Sequence, residues 1–194
     1  DSNLLDLLRK EKIPSPKKGF RTLHASAADL PLGDGWSDFS YARFLLQHVP
    51  SPLDVISEAY RCTKPGGLFC AVDSDDGLII CYPESEKISS FLKDVRVKQS
   101  AYGGDRYIGR KLHNLFYQAG FTHIKASSLS MTTTEISPQA LLGILFGYKS
   151  SLLSNKDDLF SLDLITLFIT DKFVLNLSAV VIIAFVSLGK HEPP

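Results

Sequence analysis

Three short clusters hold the side chains best suited to chemistry. Asp73-Ser74-Asp75-Asp76-Gly77 sets three carboxylates directly after the apolar run Leu68 to Val72. In an open α/β sheet, ligands gather where strands end at their carboxyl side. Carboxylates placed there orient a substrate or a cationic group, or accept a proton. Gln47-His48 opens a connection nearby, and an imidazole titrates close enough to neutrality to act as a base. Arg106 and Tyr107 follow Gly103-Gly104, a pair that would hinge a segment closing over a site. His48 and Asp73 are therefore the catalytic candidates, and Gln47, His48, Asp73, Asp75, Arg106 and Tyr107 the candidate substrate contacts. Each has a plain alternative. Surface acids are commonly just solvated, a lone histidine is commonly a packed loop residue, and Arg106-Tyr107 could simply cap a helix and pair on the surface.

Other chemistries are disfavoured. The five histidines are scattered singly and the three cysteines, Cys62, Cys70 and Cys81, show no Cys-x-x-Cys spacing, so no metal is expected. An odd number of thiols suits a reducing compartment, here the cytoplasm. Gly103-Gly104-Asp105-Arg106-Tyr107-Ile108-Gly109 follows a polar helix instead of an apolar strand, which disqualifies it as a phosphate or dinucleotide loop.

The elements that must position these clusters alternate. Phe20 to Ala25 and Asp38 to Phe44 read as strands. Ser51 as cap, Pro52 at the first position and Asp54 at capping-box spacing begin a helix with Leu53, Ile56 and Tyr60 on one face. Lys64-Pro65-Gly66-Gly67 stops it, and Leu68 to Val72 is a strand buried on both sides. Polar helical sequence runs from Glu84 to Ser100, and an amphipathic helix from Ile108 to Ala119 is closed by Gly120. Phe121 to Leu129 is the next strand, and Ala179 to Leu188 the last. Further helices are expected over Leu4 to Leu8, Ser137 to Ser151 and Leu159 to Ile169. Phe173 to Leu188 is too short and too interrupted for a membrane span, and Val, Ile and Phe favour a buried strand. The pattern predicts an α/β fold with an open, mostly parallel sheet.

Several stretches, in this order and spacing, resemble the ubiquinone/menaquinone-biosynthesis type of class I S-adenosylmethionine-dependent methyltransferases. They are Asp29-Leu30-Pro31-Leu32, Trp36 to Phe44, Leu46-Gln47-His48-Val49-Pro50, Lys64-Pro65-Gly66-Gly67 with its strand, and Gln118-Ala119-Gly120-Phe121; the ending Ser187-Leu188-Gly189-Lys190 fits as well. The resemblance implies a Rossmann-like sheet whose final strand inserts antiparallel, with S-adenosylmethionine lying across the carboxyl ends of the strands. It implies cofactor contacts from Asp1 (ribose hydroxyls), Ser26 and Ala27 (adenine), and Tyr41, Ala42 and Arg43, Ala42 leaving room for the ligand. Ser26 stands where the family often has a carboxylate. The family's first strand and glycine-rich loop have no counterpart here, so the chain, which opens on Asp1, reads as the C-terminal portion of the fold, truncated at its N-terminal side.

The resulting expectation is a single methyltransferase-like domain over residues 1–194, with residues 84–119 as a helical lid, transferring a methyl group to a small molecule. A non-catalytic remnant or partner subunit on the same scaffold stays open as the alternative. A nicotinamide reductase is disfavoured by the absence of a Tyr-x-x-x-Lys pair and of Gly-x-Gly-x-x-Gly. Lys plus Arg equals Asp plus Glu at 21 each, and without a basic stripe no nucleic-acid partner is expected. No membrane association is expected either. The oligomeric state, the substrate and the accepting atom are not legible.

Overall fold

A computed structural model describes residues 22–137, Ala140, Gly143 and the backbone of Val174–Val186. The helices expected over Leu4 to Leu8 and Leu159 to Ile169, and nearly all of that over Ser137 to Ser151, lie outside the described residues, as does Asp1.

Strand β1 (Ser37–Arg43) leads through a 3-10 turn (Leu46–His48) to helix α1 (Pro52–Cys62). Pro52 stands at its start, with Asp54 in the first turn and Arg61 in the last, each of the sign the helix dipole favours. The expected Ser51 cap does not form: its side chain makes no capping bond. The helix ends where the Thr63 hydroxyl donates to Ala59 O at 2.7 Å.

Strand β2 (Thr63–Ser74) then pairs in parallel with β1, Ser37 opposite Thr63 but Phe39 opposite Leu68. The strand thus starts earlier than Leu68, and Lys64 to Gly67 forms a bulge within it. Both glycines are needed there. Gly66 has φ +78, and a Cβ on Gly67 would lie 2.7 Å from Thr63 Cγ2 and 2.8 Å from Lys64 O.

After a turn at Asp76–Leu78 come the short strand β3 (Ile80–Tyr82) and helix α2 (Glu86–Ala101). A second 3-10 turn (Ile108–Lys111) runs into helix α3 (Leu112–Gln118), so the expected helix from Ile108 is tighter in its first turn. Gly120, at φ +95, turns the chain into β4 (Phe121–Thr132).

The last strand, β5 (Val174–Val186), is antiparallel to β2, β3 and β4. It lies between β2 and β4, while β3 extends along it beyond β2. Strands β1 to β4 therefore run one way and β5 the other. This is the expected mostly parallel sheet with an antiparallel final strand. The expected strand over Phe20 to Ala25 differs: Thr22 to Ala25 are exposed and not in a strand, and only an isolated Ser26–Asp29 bridge follows.

The core lies between one sheet face and helices α1 and α3. Phe69 stacks on Phe116 at 5.0 Å, and Phe121 packs against both. Leu46, Ile56, Ile108 and Leu112 complete the cluster. Each such buried side chain contributes roughly 1.5–3 kcal/mol. Because strand side chains alternate, Ala42, Phe69, Ala71 and Asp73 are buried, while Phe39, Tyr41 and Arg43 are exposed.

Candidate functional site at the carboxyl edge of the sheet

Strand β1 ends at the edge where β2 also ends. Tyr41 and Arg43 share the strand face opposite to Ala42, with Tyr41 stacked on Phe39 at 6.4 Å. Arg43 places its guanidinium 5.0 Å from the ring centre of Phe44. Phe44 itself adopts φ +49, a left-handed conformation that a residue with a bulky side chain takes only under constraint. Its N–H donates to Val72 O at 2.8 Å, which fixes the strand end. Ala42, expected to leave room for the ligand, is 8% exposed and belongs to the core cluster, because alternation turns it toward α1 and α3.

The acidic loop and the Arg106 segment are brought together, as a buried latch. Arg106 Nε and Nη2 donate to the two carboxylate oxygens of Asp76 at 2.9 and 2.7 Å, both side chains being almost fully buried. The Asp76 N–H donates back to Arg106 O at 2.9 Å. Arg106 Nη1 also donates to Gln47 Oε1, which accepts in addition from Ser74 Oγ. Asp75, also buried, accepts from Arg110 Nε, Nη2 and backbone N at 2.7–3.1 Å. Asp73 is 1% exposed and accepts from the backbone N–H groups of Gln47 and Ser74. Burial pushes its carboxyl above the usual range, and those N–H groups pull the other way. Asp73, Asp75, Asp76 and Arg106 thus make their hydrogen bonds with one another, with the Gln47 and Arg110 side chains and with the backbone. The expectation of substrate-facing carboxylates does not match this arrangement: the groups face inward because the 3-10 turns after β2 and before α3 dock on each other.

Tyr107 is half-buried, with Arg110 at 4.6 Å and Arg96 at 5.2 Å from its ring centre. Gly103 and Gly104 serve close packing. A Cβ on Gly103, at φ +81, would lie 2.9 Å from Pro50 Cβ, and one on Gly104 2.7 Å from Gln47 O.

His48 closes the 3-10 turn after β1 and is half-buried. Its Nδ1 lies 3.2 Å from Gln99 Nε2, which also donates to Gln47 O at 2.6 Å. Burial, then the Arg106 charge, lowers its pKa from the ordinary histidine value.

On the other flank Ser26 is exposed, its Oγ accepting from Ala28 N at 3.2 Å, and Ala27 rests against the core. The chain that follows is clamped to α1. Leu30 N donates to Glu58 Oε1 at 2.7 Å, and Arg61 donates to Glu58, Asp34, Leu30 O and Leu32 O. The Arg61 guanidinium and the Leu30 N–H hold the Glu58 carboxyl down at about 2.

Gln99, Phe44 and Arg110 are among the site residues not singled out from sequence. Gln99 had a signal: it continues the inward stripe Ile88, Phe91, Leu92, Val95 of α2, a spacing that carries a polar side chain into the interior. Phe44 had none, since its left-handed backbone depends on the pairing to Val72. Among the described residues, no three or more His, Cys, Asp or Glu side chains are grouped to hold a metal ion. No helix among them is long and apolar enough to cross a membrane.

Residues 1–71 match a family model described as a methyltransferase domain. A demethylmenaquinone methyltransferase of Oceanobacillus iheyensis is 25% identical over 138 residues, covering 65% of this chain and 58% of that protein. An uncharacterized 37.1 kDa transposon protein of Streptomyces fradiae is 34% identical over 114 residues, covering 58% of this chain and 31% of that protein. The chain therefore spans less than two thirds of either relative. A crystal structure from Bacillus halodurans C-125, described as a candidate methyltransferase, superposes with a TM-score of 0.50 at 16% identity, covering 86% of this chain and 77% of the other. That likeness establishes the fold, in which the antiparallel β5 lies between β2 and β4. Over residues 1–71 the chain is thus similar to the methyltransferase domain family, and over a longer stretch to a demethylmenaquinone methyltransferase.

Proposed function

We propose that the chain forms the acceptor-side part of an enzyme that transfers a methyl group from S-adenosylmethionine to a small molecule. The observation that carries this reading is the carboxyl end of β1. There the exposed Tyr41 and Arg43, the constrained Phe44 and the half-buried His48 follow one another at the edge where an open α/β sheet takes its ligands. The residues fit the cofactor on this flank. Ser26 offers an exposed hydroxyl for an adenine edge, and Tyr41 and Arg43 offer an aromatic face and a cation beside it.

When bound, S-adenosylmethionine supplies an already activated methyl group, so the protein's work is alignment and exclusion of water. Arg43 and Tyr41 frame the ligand. The Asp76–Arg106 latch holds the turn carrying His48 against the end of β2, which keeps the acceptor side rigid. Helix α2 and the turn before α3, within residues 84–119, cover that side as a fixed wall, their glycines being closely packed. Free Cys62, Cys70 and Cys81 suit a reducing, cytoplasmic setting.

The test is calorimetric binding of S-adenosylmethionine and S-adenosylhomocysteine to the full chain and to Arg43→Ala and Tyr41→Ala. Each substitution is expected to weaken binding about tenfold, the equivalent of roughly 1.4 kcal/mol. Wild-type affinity in both variants would overturn the placement of the site. A chain that binds the cofactor but transfers no methyl group to any small acceptor would favour the non-catalytic partner instead.

A further inference from the structure

We propose that Gln99 is a positioning residue that holds His48 as the neutral tautomer with its proton on Nε2, so that the ring's one basic nitrogen, Nδ1, is occupied and His48 does not serve as the base of a methyl transfer. Only the mention of methyl transfer rests on the reading above; the tautomer stands on the geometry.

Gln99 is 3% exposed and its amide has two claims on one nitrogen. Nε2 lies 2.6 Å from Gln47 O and 3.2 Å from His48 Nδ1. A backbone carbonyl only accepts, so the amide must turn its NH2 toward Gln47; the flipped amide would set two oxygens 2.6 Å apart. One N–H is then spent on Gln47 O, and the second is the group that reaches Nδ1. Nδ1 must accept, and it does so only when bare. In a neutral ring the proton is then on Nε2.

The surroundings leave the amide little freedom. Gly104 N donates to the main-chain O of Gln99 at 3.0 Å, which fixes the backbone that carries the amide, and Asp105 N gives Gln47 O its second donor at 2.9 Å. Gly104 itself lies so close that a Cβ there would fall 2.6 Å from Gln99 Cγ. Gln99 Oε1 is left buried without a hydrogen-bond partner among the described residues, so the orientation is dictated from the nitrogen side. Among the described residues, ionisable groups on the neighbouring elements include Asp73 at the end of β2, Asp76 in the turn after it, and Asp105 and Arg106 before the turn at Ile108. Arg106 opposes a second positive charge on the ring, in the same direction as burial. A protonated ring would also set an Nδ1–H against the Gln99 NH2. The device therefore works against proton acceptance, and the base role expected for His48 gives way.

The experiment is long-range proton–nitrogen correlation NMR of the full chain labelled at histidine nitrogens, with the His48 signals assigned by their loss in His48→Asn. The expected result is the Nε2–H pattern from pH 6 to 8. In Gln99→Met the ring should become a mixture of tautomers, and its titration midpoint should rise by roughly 0.5–1 unit. An Nδ1–H pattern in the unaltered chain overturns the proposal, as does a Gln99→Met spectrum with tautomer and midpoint unchanged. Should Gln99→Met not fold, the pattern of the unaltered chain decides alone. Neither reading depends on turnover, so the tautomer and the methyl-transfer proposal fail separately.

Discussion

Replacing Arg106 with methionine should be among the most damaging single changes at the carboxyl edge. The Arg106 side chain is 4% exposed and that of Asp76 1%, so water cannot take over the role of the guanidinium. The substitution keeps much of the aliphatic volume but removes both donors to Asp76 and the donor to Gln47 Oε1. A buried carboxylate deprived of its ion-pair partner costs about 3–5 kcal/mol. With a urea dependence of about 2 kcal/mol per M for a domain of this size, the unfolding midpoint should fall by about 1.5–2.5 M. Circular dichroism during urea unfolding reads this directly. Arg106→Lys keeps a charge but not the fork that reaches two carboxylate oxygens and a glutamine together, and should lose roughly 1.5–3 kcal/mol, about one charge-assisted bond. The double change Arg106→Met with Asp76→Leu should recover at least half of the Arg106→Met loss, because it removes the stranded charge as well. A loss below about 1 kcal/mol in Arg106→Met would mean that the latch carries little stability. A double variant as unstable as the sum of its parts would show that packing, and not charge pairing, holds the loop.

Two further perturbations follow from the same geometry. Glu58 is held down at about 2 in the folded chain against an ordinary value of 4.5, so its stabilisation is complete above about pH 4.5 and drains away as pH falls toward 2. Glu58→Gln should therefore flatten the stability–pH curve in that window, and curves that stay parallel would show the clamp on Leu30 to be idle. Gly103→Ala and Gly104→Ala should each cost roughly 1–3 kcal/mol, through left-handed backbone at Gly103 and collision with Gln47 O and Gln99 at Gly104. Gly33→Ala meets nothing within 4 Å and should stay within about 0.5 kcal/mol of the parent. Equal behaviour of all three would deny the close packing of this turn.

What was legible from sequence divides along a physical line. Local patterns carried the elements: a proline with an acid behind it began α1, continuous apolar runs marked β2 and β5, and Gly120 marked the turn into β4. The parallel pairing of β1 with β2 followed from the helix that joins them, whereas the antiparallel last strand came only from the family resemblance. The site was legible only as a neighbourhood. Asp75 and Arg106 were singled out as candidate site residues, but neither their meeting nor their direction was visible. The acids look like a solvated loop in sequence, and only the docking of two 3-10 turns makes them a buried latch. The burial of Ala42 was hidden for a related reason, since which face of β1 is covered depends on helices distant in the chain. Gln99 shows how far such reasoning can reach. Its place on the stripe of α2 already turned it inward, and a buried amide needs partners. What the stripe could not say is that both claims on it would fall on its nitrogen. That asymmetry comes from Gln47 O and His48 Nδ1 lying on the same side. It is also what occupies the basic nitrogen of His48, so the chemistry of the histidine is set by a helix that sequence alone assigned only to a cover.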